Sequence, residues 1–345
     1  MGNLRLCDTL VVLDSSHIFE TISHHAKEKE YADRSKEFFE LINNSSINSV
    51  TDRKFLGYVA ALLTVTIWAA FLVGTRFAVT TNFTVEEIMV LRLIPASIIM
   101  APYMIKLGVM PPGNHLITKI IFALGASALF PSVLSIGLYY STASNAGALG
   151  PGTLPFWTAL IAFLIAGEKP KQSRKFGLFV ILFGALVIGI MQFETTYGEL
   201  TWLGNSLFLL GAALWAIYSV IFRQSGIAPL HGLVIGLFWG SLIFVPFLIA
   251  FGNVDFDNKT LYDITHMVIL HSFIIGILAM LLFTYAVKKL GAAQTAAFGA
   301  LTPILALIGG IILLDEIISL SKLFGICLVT AGVLFASGAL SFTKK

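Results

Sequence analysis

A single arginine, Arg92, interrupts the apolar segment VLRLIPA. If this segment crosses a membrane, a cation that faces lipid costs about 2.5–3.5 kcal/mol or more. Arg92 is therefore expected to face other helices or a water-filled cavity, where its guanidinium would bind a carboxylate or another anionic group of a small molecule. The alternative is a structural role, in which the guanidinium binds backbone carbonyls or extends towards the membrane surface.

Aromatic side chains form two further candidate surfaces. Trp68 and Phe71 share one helix face, and Trp215 and Tyr218 share another, because residues three positions apart lie on the same side of a helix. Aromatic rings with a polar edge suit organic solutes, so all four are candidate substrate-binding residues. Packing between helices is an equally good interpretation of both surfaces.

Two amides and one tyrosine complete the candidate set. Asn145 lies in SNAGALGPG and Gln294 lies in AAQTAAFGA, where small residues let helices approach closely and amides bind across them. Packing is the favoured interpretation of both amides, and lining of a solute path is the alternative. Tyr139, which precedes the first of these segments, is expected to contribute a hydroxyl to the same path.

Two glutamates, Glu168 and Glu316, each follow a long apolar run and precede a turn. A carboxylate there suits the positive N-terminal end of a neighbouring helix, which favours a structural role. Proton coupling is the weaker alternative, because both residues are expected near the membrane surface.

The residues that enzymes need are not clustered. None of the seven histidines has metal-ligand spacing beside acids in an apolar segment, and Cys7 and Cys327 lie far apart. We therefore expect no catalytic residues, no metal site and no cofactor, and we expect the chain not to be an enzyme. The small net charge of +3 gives no indication of nucleic-acid binding.

The composition indicates which elements must position these residues. Hydrophobic residues make up 57% and charged residues 12%, against about 45–50% and about 25% in soluble domains, and the mean hydropathy is +0.88. This predicts an all-α integral membrane protein, since a helix satisfies its own backbone in lipid. A membrane-crossing helix needs roughly 20 apolar residues. Ten stretches qualify: 55–79, 85–106, 116–140, 143–166, 174–191, 203–223, 229–251, 267–288, 292–314 and 320–342.

The sequence also contains an internal repeat. Two segments of 30 residues align without a gap, 148 positions apart, and they match Pro155 with Pro303 and Glu168 with Glu316. Further upstream, the dipeptide Trp-Ala at residue 68 recurs at residue 215, an offset of 147 that requires one single-residue insertion between the blocks. Repeats of this kind indicate two copies of one structural unit. The predicted domains are a polar cytoplasmic N-terminal tail (1–54), a first five-helix repeat (55–191) and a second five-helix repeat (201–342).

The positions of Lys and Arg predict the orientation. With a cytoplasmic N-terminus, eighteen of these residues lie in cytoplasmic segments and three in outer segments, as the positive-inside rule requires. Both termini are therefore predicted to be cytoplasmic. Because each unit has an odd number of helices, the two copies cross the membrane in opposite directions. Such inverted repeats are the architecture with which many secondary transporters alternate access to a central site.

The sequence resembles the drug/metabolite transporter superfamily, and specifically its EamA-like group of ten-span transporters. The resemblance rests on TVTIWAAFLVGTRFA, VLRLIPA, GLYYSTASNAGALGPGTLPFWTALIAFLIAGEKP and its counterpart YAVKKLGAAQTAAFGALTPILALIGGIILLDE. It covers about residues 55–342. It implies that spans 1–4 and 6–9 surround a central cavity and that spans 5 and 10 lie at the periphery. A long polar tail is not part of the family pattern.

We therefore predict a secondary transporter of small organic metabolites, amino-acid-like or drug-like, with alternating access between two inverted repeats. We expect a multi-pass protein of a bacterial cytoplasmic (inner) membrane, with both termini cytoplasmic, as a monomer or homodimer. Its expected partners are the lipid bilayer and a small-molecule substrate, without nucleic acid. The alternative is a membrane-embedded sensor or regulatory protein on a transporter-like scaffold.

Overall fold

The computed structural model describes residues 50–113, 115–191 and 198–339, and this part of the chain is helical and contains no β-strand. The predicted all-α fold is confirmed. Most of the predicted tail, residues 1–49, lies outside the described residues. The helices are α1 (Val50–Thr81), α2 (Val85–Leu107), α3 (Leu116–Tyr140), α4 (Ala143–Ala166), α5 (Gln172–Met191), α6 (Thr201–Ser225), α7 (Pro229–Phe251), α8 (Leu261–Leu290), α9 (Ala292–Phe298 and Leu301–Leu314) and α10 (Leu320–Ser337).

Nine helices of the described chain are long and apolar enough to cross a membrane, namely all of them except α5. The chain is therefore a multi-pass membrane protein. Helix α5 spans Gln172–Met191 and has the length of a crossing, but the tenth crossing stays a prediction.

Side-chain caps fix where two of the helices begin. The Thr84 hydroxyl accepts a hydrogen bond from the Glu87 backbone N–H at 3.2 Å, and the Glu87 carboxylate accepts one from the Thr84 N–H at 2.9 Å. This capping box starts α2 as the sequence predicts. Thr260 and Asp263 form a second capping box. It starts α8 at Leu261 instead of the predicted residue 267, because the polar first turn that follows Thr260 is helical.

Helices α4 and α9 are both interrupted. In α4 the α-helix ends at Leu149, and a 3₁₀ turn over Pro151–Thr153 precedes the second segment. Pro151 has no backbone N–H with which to continue the first segment. The two interrupted helices cross closely, because a Cβ added to Gly147 would lie 2.8 Å from the Ala306 Cβ. Small residues allow this approach between membrane helices.

The buried apolar residues form one main cluster and smaller ones. The main cluster contains Phe71 and extends through every helix except α7. A separate cluster around Tyr218 joins α3, α6 and α7, with Phe122 and Ile235 as its other buried members. The two aromatic faces predicted from the sequence therefore lie in different parts of the core.

Candidate substrate-binding site

Arg92 lies in α2, and its guanidinium is directed into the helix bundle. The guanidinium carbon is 5.5 Å from the centroid of the Phe71 ring in α1, which is a cation–π distance. Its Nη1 atom is shielded from solvent and has no hydrogen-bond partner among the described residues. A structural role for Arg92 would require a carbonyl partner or an exit to the surface, and Nη1 has neither.

His271 of α8 also contacts the Phe71 ring. Its exposed fraction is 0%, and its imidazole meets Phe71 edge-on, with 5.7 Å between the ring centroids. Neither ring nitrogen has a hydrogen-bond partner in the described part of the chain. Phe71 thus contacts two side chains that carry buried, unsatisfied nitrogen atoms: Nη1 of Arg92 and both ring nitrogens of His271.

Sequence reasoning missed His271 because it placed the start of α8 six residues too late. With a start at residue 267, His271 would lie just after the first turn of the helix. With the observed start at Leu261, it lies ten residues inside, which is about 15 Å along the axis at 1.5 Å per residue. The signal that would have located it is the Thr260–Asp263 capping box.

Ser272 joins α8 to α2 beside this pair. Its hydroxyl is 2.6 Å from the Leu91 carbonyl oxygen and 2.9 Å from the Arg92 carbonyl oxygen. Ser272 is fully buried, as is His271. The hydrogen bonding therefore fixes the backbone of Arg92 against the helix that carries His271.

The two predicted tryptophans make equivalent contacts in the two repeats. Trp68 of α1 packs on Phe283 of α8, with 5.4 Å between ring centroids. Trp215 of α6 packs on Phe130 of α3, with a separation of 4.8 Å. Because α1 corresponds to α6 and α3 corresponds to α8, each tryptophan contacts the same helix of the opposite repeat.

Tyr218 lies apart from the Arg92 site. Its ring stacks on Phe222 at 5.6 Å and meets Phe122 at 6.1 Å. Its exposed fraction is 6%, within the cluster of α3, α6 and α7. Trp215 also contacts Tyr218, with 5.8 Å between the ring centroids. These two residues therefore form an aromatic cluster separate from the Arg92 site.

Asn145 is buried in a polar network between α4 and α6. Its Nδ2 donates to the Asn205 Oδ1 at 3.1 Å and to the Ser141 Oγ at 3.2 Å. The Ser141 hydroxyl in turn donates to the same Asn205 oxygen at 2.7 Å. These contacts join α4 of the first repeat to α6 of the second, and the Asn145 Oδ1 atom is buried without a hydrogen-bond partner among the described residues.

The remaining two predicted residues lie at the surface of the described structure. Tyr139 is 57% exposed, and its ring packs on Tyr140. Gln294 is exposed at the start of α9. The structure therefore brings Phe71 and Arg92 together with the buried His271, whereas Tyr139 and Gln294 are exposed.

Glu316 caps a helix across the repeat boundary. Its carboxylate accepts hydrogen bonds from the backbone N–H groups of Ala143 at 2.6 Å and Ser144 at 3.2 Å, and from the Ser144 hydroxyl. The Lys322 ammonium lies 3.9 Å away. The side chain is 5% exposed. The negative charge stabilises the first turn of α4, a helix of the other repeat.

Glu168, the repeat counterpart of Glu316, has a different environment. It forms an ion pair with Arg223 of α6 at 2.7 Å, and its side chain is 49% exposed. Among the described residues its carboxylate accepts a hydrogen bond from the Arg223 guanidinium, and it does not cap a helix. The two repeats therefore differ at equivalent carboxylates.

These groups suit binding of a solute. The Arg92 guanidinium supplies hydrogen-bond donors, an imidazole supplies at least one more, and Phe71 supplies an apolar surface between them. The described residues include no group of three or more His, Cys, Asp or Glu side chains that could hold a metal ion.

The helical fold and its apolar spans define a multi-pass membrane protein. The chain belongs to the EamA-like transporter family, whose model matches residues 55–190 and residues 202–338. This family lies within the drug/metabolite transporter superfamily that the sequence resembles. Its two matched regions fit the architecture of two repeats.

Two relatives carry transporter names, and a solved structure shares the fold. The chain is 28% identical to a Bacillus subtilis protein named uncharacterized transporter YyaM, over 67% of this chain and 75% of the relative. It is 24% identical to an uncharacterized transporter of Archaeoglobus fulgidus, over 65% and 76%. A protein of known crystal structure aligns with a TM-score of 0.55 at 16% identity, over 85% of this chain and 100% of that chain. This likeness shows a shared fold.

Proposed function

We propose that the protein is a secondary carrier of small organic metabolites, amino-acid-like or drug-like, that works by alternating access between its two repeats. The carrier holds one solute among buried side chains of both repeats. Arg92 and the aromatic residues Phe71 and Trp68 contribute from the first repeat, and His271 contributes from the second.

The observation that carries this proposal is the difference between Glu316 and Glu168. The Glu316 carboxylate is buried against the first turn of α4 and joins the two repeats at one end of the bundle. Its counterpart Glu168 is half-exposed at the corresponding turn of the first repeat. Each carboxylate therefore joins the two repeats at one end of the bundle, Glu316 through a buried helix cap and Glu168 through an exposed ion pair with Arg223. Alternating access between inverted repeats would break these two contacts in turn.

Interruptions in α4 and α9 support the same mechanism. Discontinuous helices are where many transporters bind solutes and change shape. Both interruptions lie beside the crossing of Gly147 and Ala306, so the two repeats meet at the point where each has a hinge. In this mechanism the first segment of α4 separates from Glu316 when that end of the bundle opens.

The proposed setting is the cytoplasmic membrane of a bacterial-type cell, with both termini in the cytoplasm. This orientation rests on the distribution of Lys and Arg. It places the Glu316 turn outside and the Glu168 turn inside. In this orientation the buried Glu316 cap lies at the external end of the bundle, and the Glu168–Arg223 ion pair lies at the cytoplasmic end.

The test is a solute screen with the full-length protein in sealed proteoliposomes. Pools of small carboxylates, amino acids and aromatic amines are loaded on one side, with pH and sodium gradients imposed separately. We expect saturable, protein-dependent flux of at least one solute class and accelerated exchange when the same solute is present on both sides. Protein-free liposomes are the control. Solute flux that never saturates and shows no exchange acceleration would contradict a carrier and indicate a channel.

A further inference from the structure

We propose that Arg92, His271 and Phe71 form a binding site for the carboxylate of a monoanionic organic solute with an apolar body. This site gives the proposed carrier a substrate class, and the role of the site in transport rests on the proposed carrier function. The site itself is defined by binding and is tested without transport.

Three unsatisfied nitrogen atoms converge on one aromatic ring. The guanidinium carbon of Arg92 lies 5.5 Å from the Phe71 centroid, and the His271 ring centroid lies 5.7 Å from it. Arg92 Nη1 and both nitrogens of His271 are buried, and none has a hydrogen-bond partner in the described residues. Leaving such groups unpaired is unfavourable, and more so for a charged group. A bound carboxylate supplies the missing acceptors.

Glu87, the acid of α2 nearest to Arg92 along the chain, has partners for both of its carboxylate oxygens. Glu87 Oε2 accepts from the Thr84 N–H and lies 3.5 Å from the Lys259 ammonium, while Oε1 accepts from the Asp255 N–H at 3.1 Å. These contacts hold the N-terminal turn of α2 in place. Glu87 is therefore engaged at the start of its own helix and supplies no counter-charge to Arg92, which leaves that place to the proposed carboxylate.

The charge of the site favours a monoanion. Arg92 is permanently cationic, and no second cation lies against the Phe71 ring in the described contacts. A doubly charged phosphate would leave excess negative charge buried without a partner, which is costly. The buried cluster that contains Phe71 includes Leu72, Leu91 and Ile275, and these apolar side chains suit an apolar solute body.

The site is also held in a defined geometry. Ser272 binds the backbone carbonyls of Leu91 and Arg92 and so fixes α8 against α2. His271 lies within a π-helical stretch, Val268–Leu278, and π-helical turns are frequent at functional sites. Because α2 and α8 belong to different repeats, an anion bound here contacts both moving units.

The experiment measures binding to the purified full-length protein in detergent by isothermal titration calorimetry. The probes are benzoate, its neutral isostere benzamide, and inorganic phosphate. We expect benzoate to bind, and benzamide and phosphate to bind at least tenfold more weakly. Equal binding of benzoate and benzamide overturns the anion site, and tighter binding of phosphate overturns the choice of a monocarboxylate.

Variants then assign the contacts. We expect Arg92→Gln to weaken benzoate binding by about 10–100-fold, the range of a charge-assisted hydrogen bond. Arg92→Lys should retain part of the affinity, because it keeps the charge and loses the planar fork. His271→Phe keeps an aromatic ring beside Phe71 without a donor, and should weaken binding about tenfold. Lys175→Gln, which removes an exposed cation of α5, is the control and should leave affinity unchanged.

The outcomes separate the site from the carrier function. Wild-type benzoate binding that is unchanged in both Arg92→Gln and His271→Phe overturns the site, and so does a failure of benzoate to bind at all. The wild-type comparison of benzoate with benzamide remains decisive if a variant does not fold. Benzoate binding without any flux in proteoliposomes supports the site and contradicts the carrier function. Flux of other solutes without benzoate binding supports the carrier function and overturns the site.

Discussion

Gly184 of α5 and Gly325 of α10 are reciprocal neighbours. A Cβ added to Gly184 would lie 2.9 Å from the Gly325 carbonyl oxygen, and a Cβ added to Gly325 would lie 3.2 Å from the Gly184 carbonyl oxygen. Gly177 and Gly332 have the same relationship, at 2.7 Å and 2.9 Å. The internal repeat matches Gly177 with Gly325 and Gly184 with Gly332, so the two contacts are related by the symmetry of the repeats.

This crossing predicts that Gly184→Leu destabilises the protein. The new side chain would overlap the backbone of α10, and overpacking of this kind costs about 1–3 kcal/mol. We expect a lower unfolding temperature in detergent. Gly189→Leu is the matched control on the same helix, because a Cβ there meets nothing within 4 Å. Equal unfolding temperatures for the two variants would contradict the crossing.

The predicted orientation is tested with two single cysteines. Both native cysteines, Cys7 and Cys327, are first replaced. Cysteines are then placed at Lys171, between α4 and α5, and at Asn258, between α7 and α8, both exposed. We expect a membrane-impermeant maleimide to label position 258 from outside the cell and position 171 only after permeabilisation, because an odd number of crossings separates them. Labelling of both from one face rules out the ten-span topology.

The polar network of Asn145 predicts a structural effect without a binding effect. Asn145→Ala leaves the buried Asn205 and Ser141 groups with fewer partners, which costs about 1–3 kcal/mol. We expect a lower unfolding temperature and an unchanged affinity for benzoate. Ser206→Ala is the control, because the Ser206 hydroxyl is exposed and binds only its own helix, at Trp202 O. A loss of benzoate affinity in Asn145→Ala would instead place this residue in the solute path.

Much of the fold is predictable because it depends on local signals. The apolar runs, the Thr84–Glu87 cap and the repeated glycines predict the helices from the sequence alone. The predicted ends of two helices, the start of α8 and the end of α10, are wrong for local reasons. The polar first turn of α8 resembles a loop, and α10 ends at Ser337 instead of residue 342, because Gly338 adopts the left-handed conformation that terminates helices.

The candidate site is less predictable because it depends on contacts between distant helices. Arg92 is detectable as a lone charge in an apolar run, and Phe71 as part of an aromatic face. Their partner His271 is not detectable, since its depth in the bundle depends on where α8 begins. Likewise, nothing local indicates that Glu316 caps α4 instead of the helix that follows it.

The last prediction concerns that cap. Glu316→Gln keeps the size of the side chain and removes its charge, so that it loses the ion pair with Lys322 and can no longer accept from both Ala143 and Ser144. Charge-assisted hydrogen bonds of this kind correspond to about 10–100-fold in an equilibrium. We therefore expect the external end of the bundle to open more often.

The measurement is the labelling rate of Ala146→Cys, a fully buried position one turn below the cap, by a membrane-impermeant thiol reagent in a background without other cysteines. Glu316→Gln should raise this rate about tenfold or more. The control is Glu168→Gln, which removes the equivalent carboxylate at the opposite end and should not raise the external rate, because Glu168 is exposed and paired with Arg223. Folded protein is quantified by size-exclusion chromatography, so that faster labelling is not mistaken for unfolding. If both variants accelerate labelling equally, or if neither does, Glu316 does not hold the external end closed.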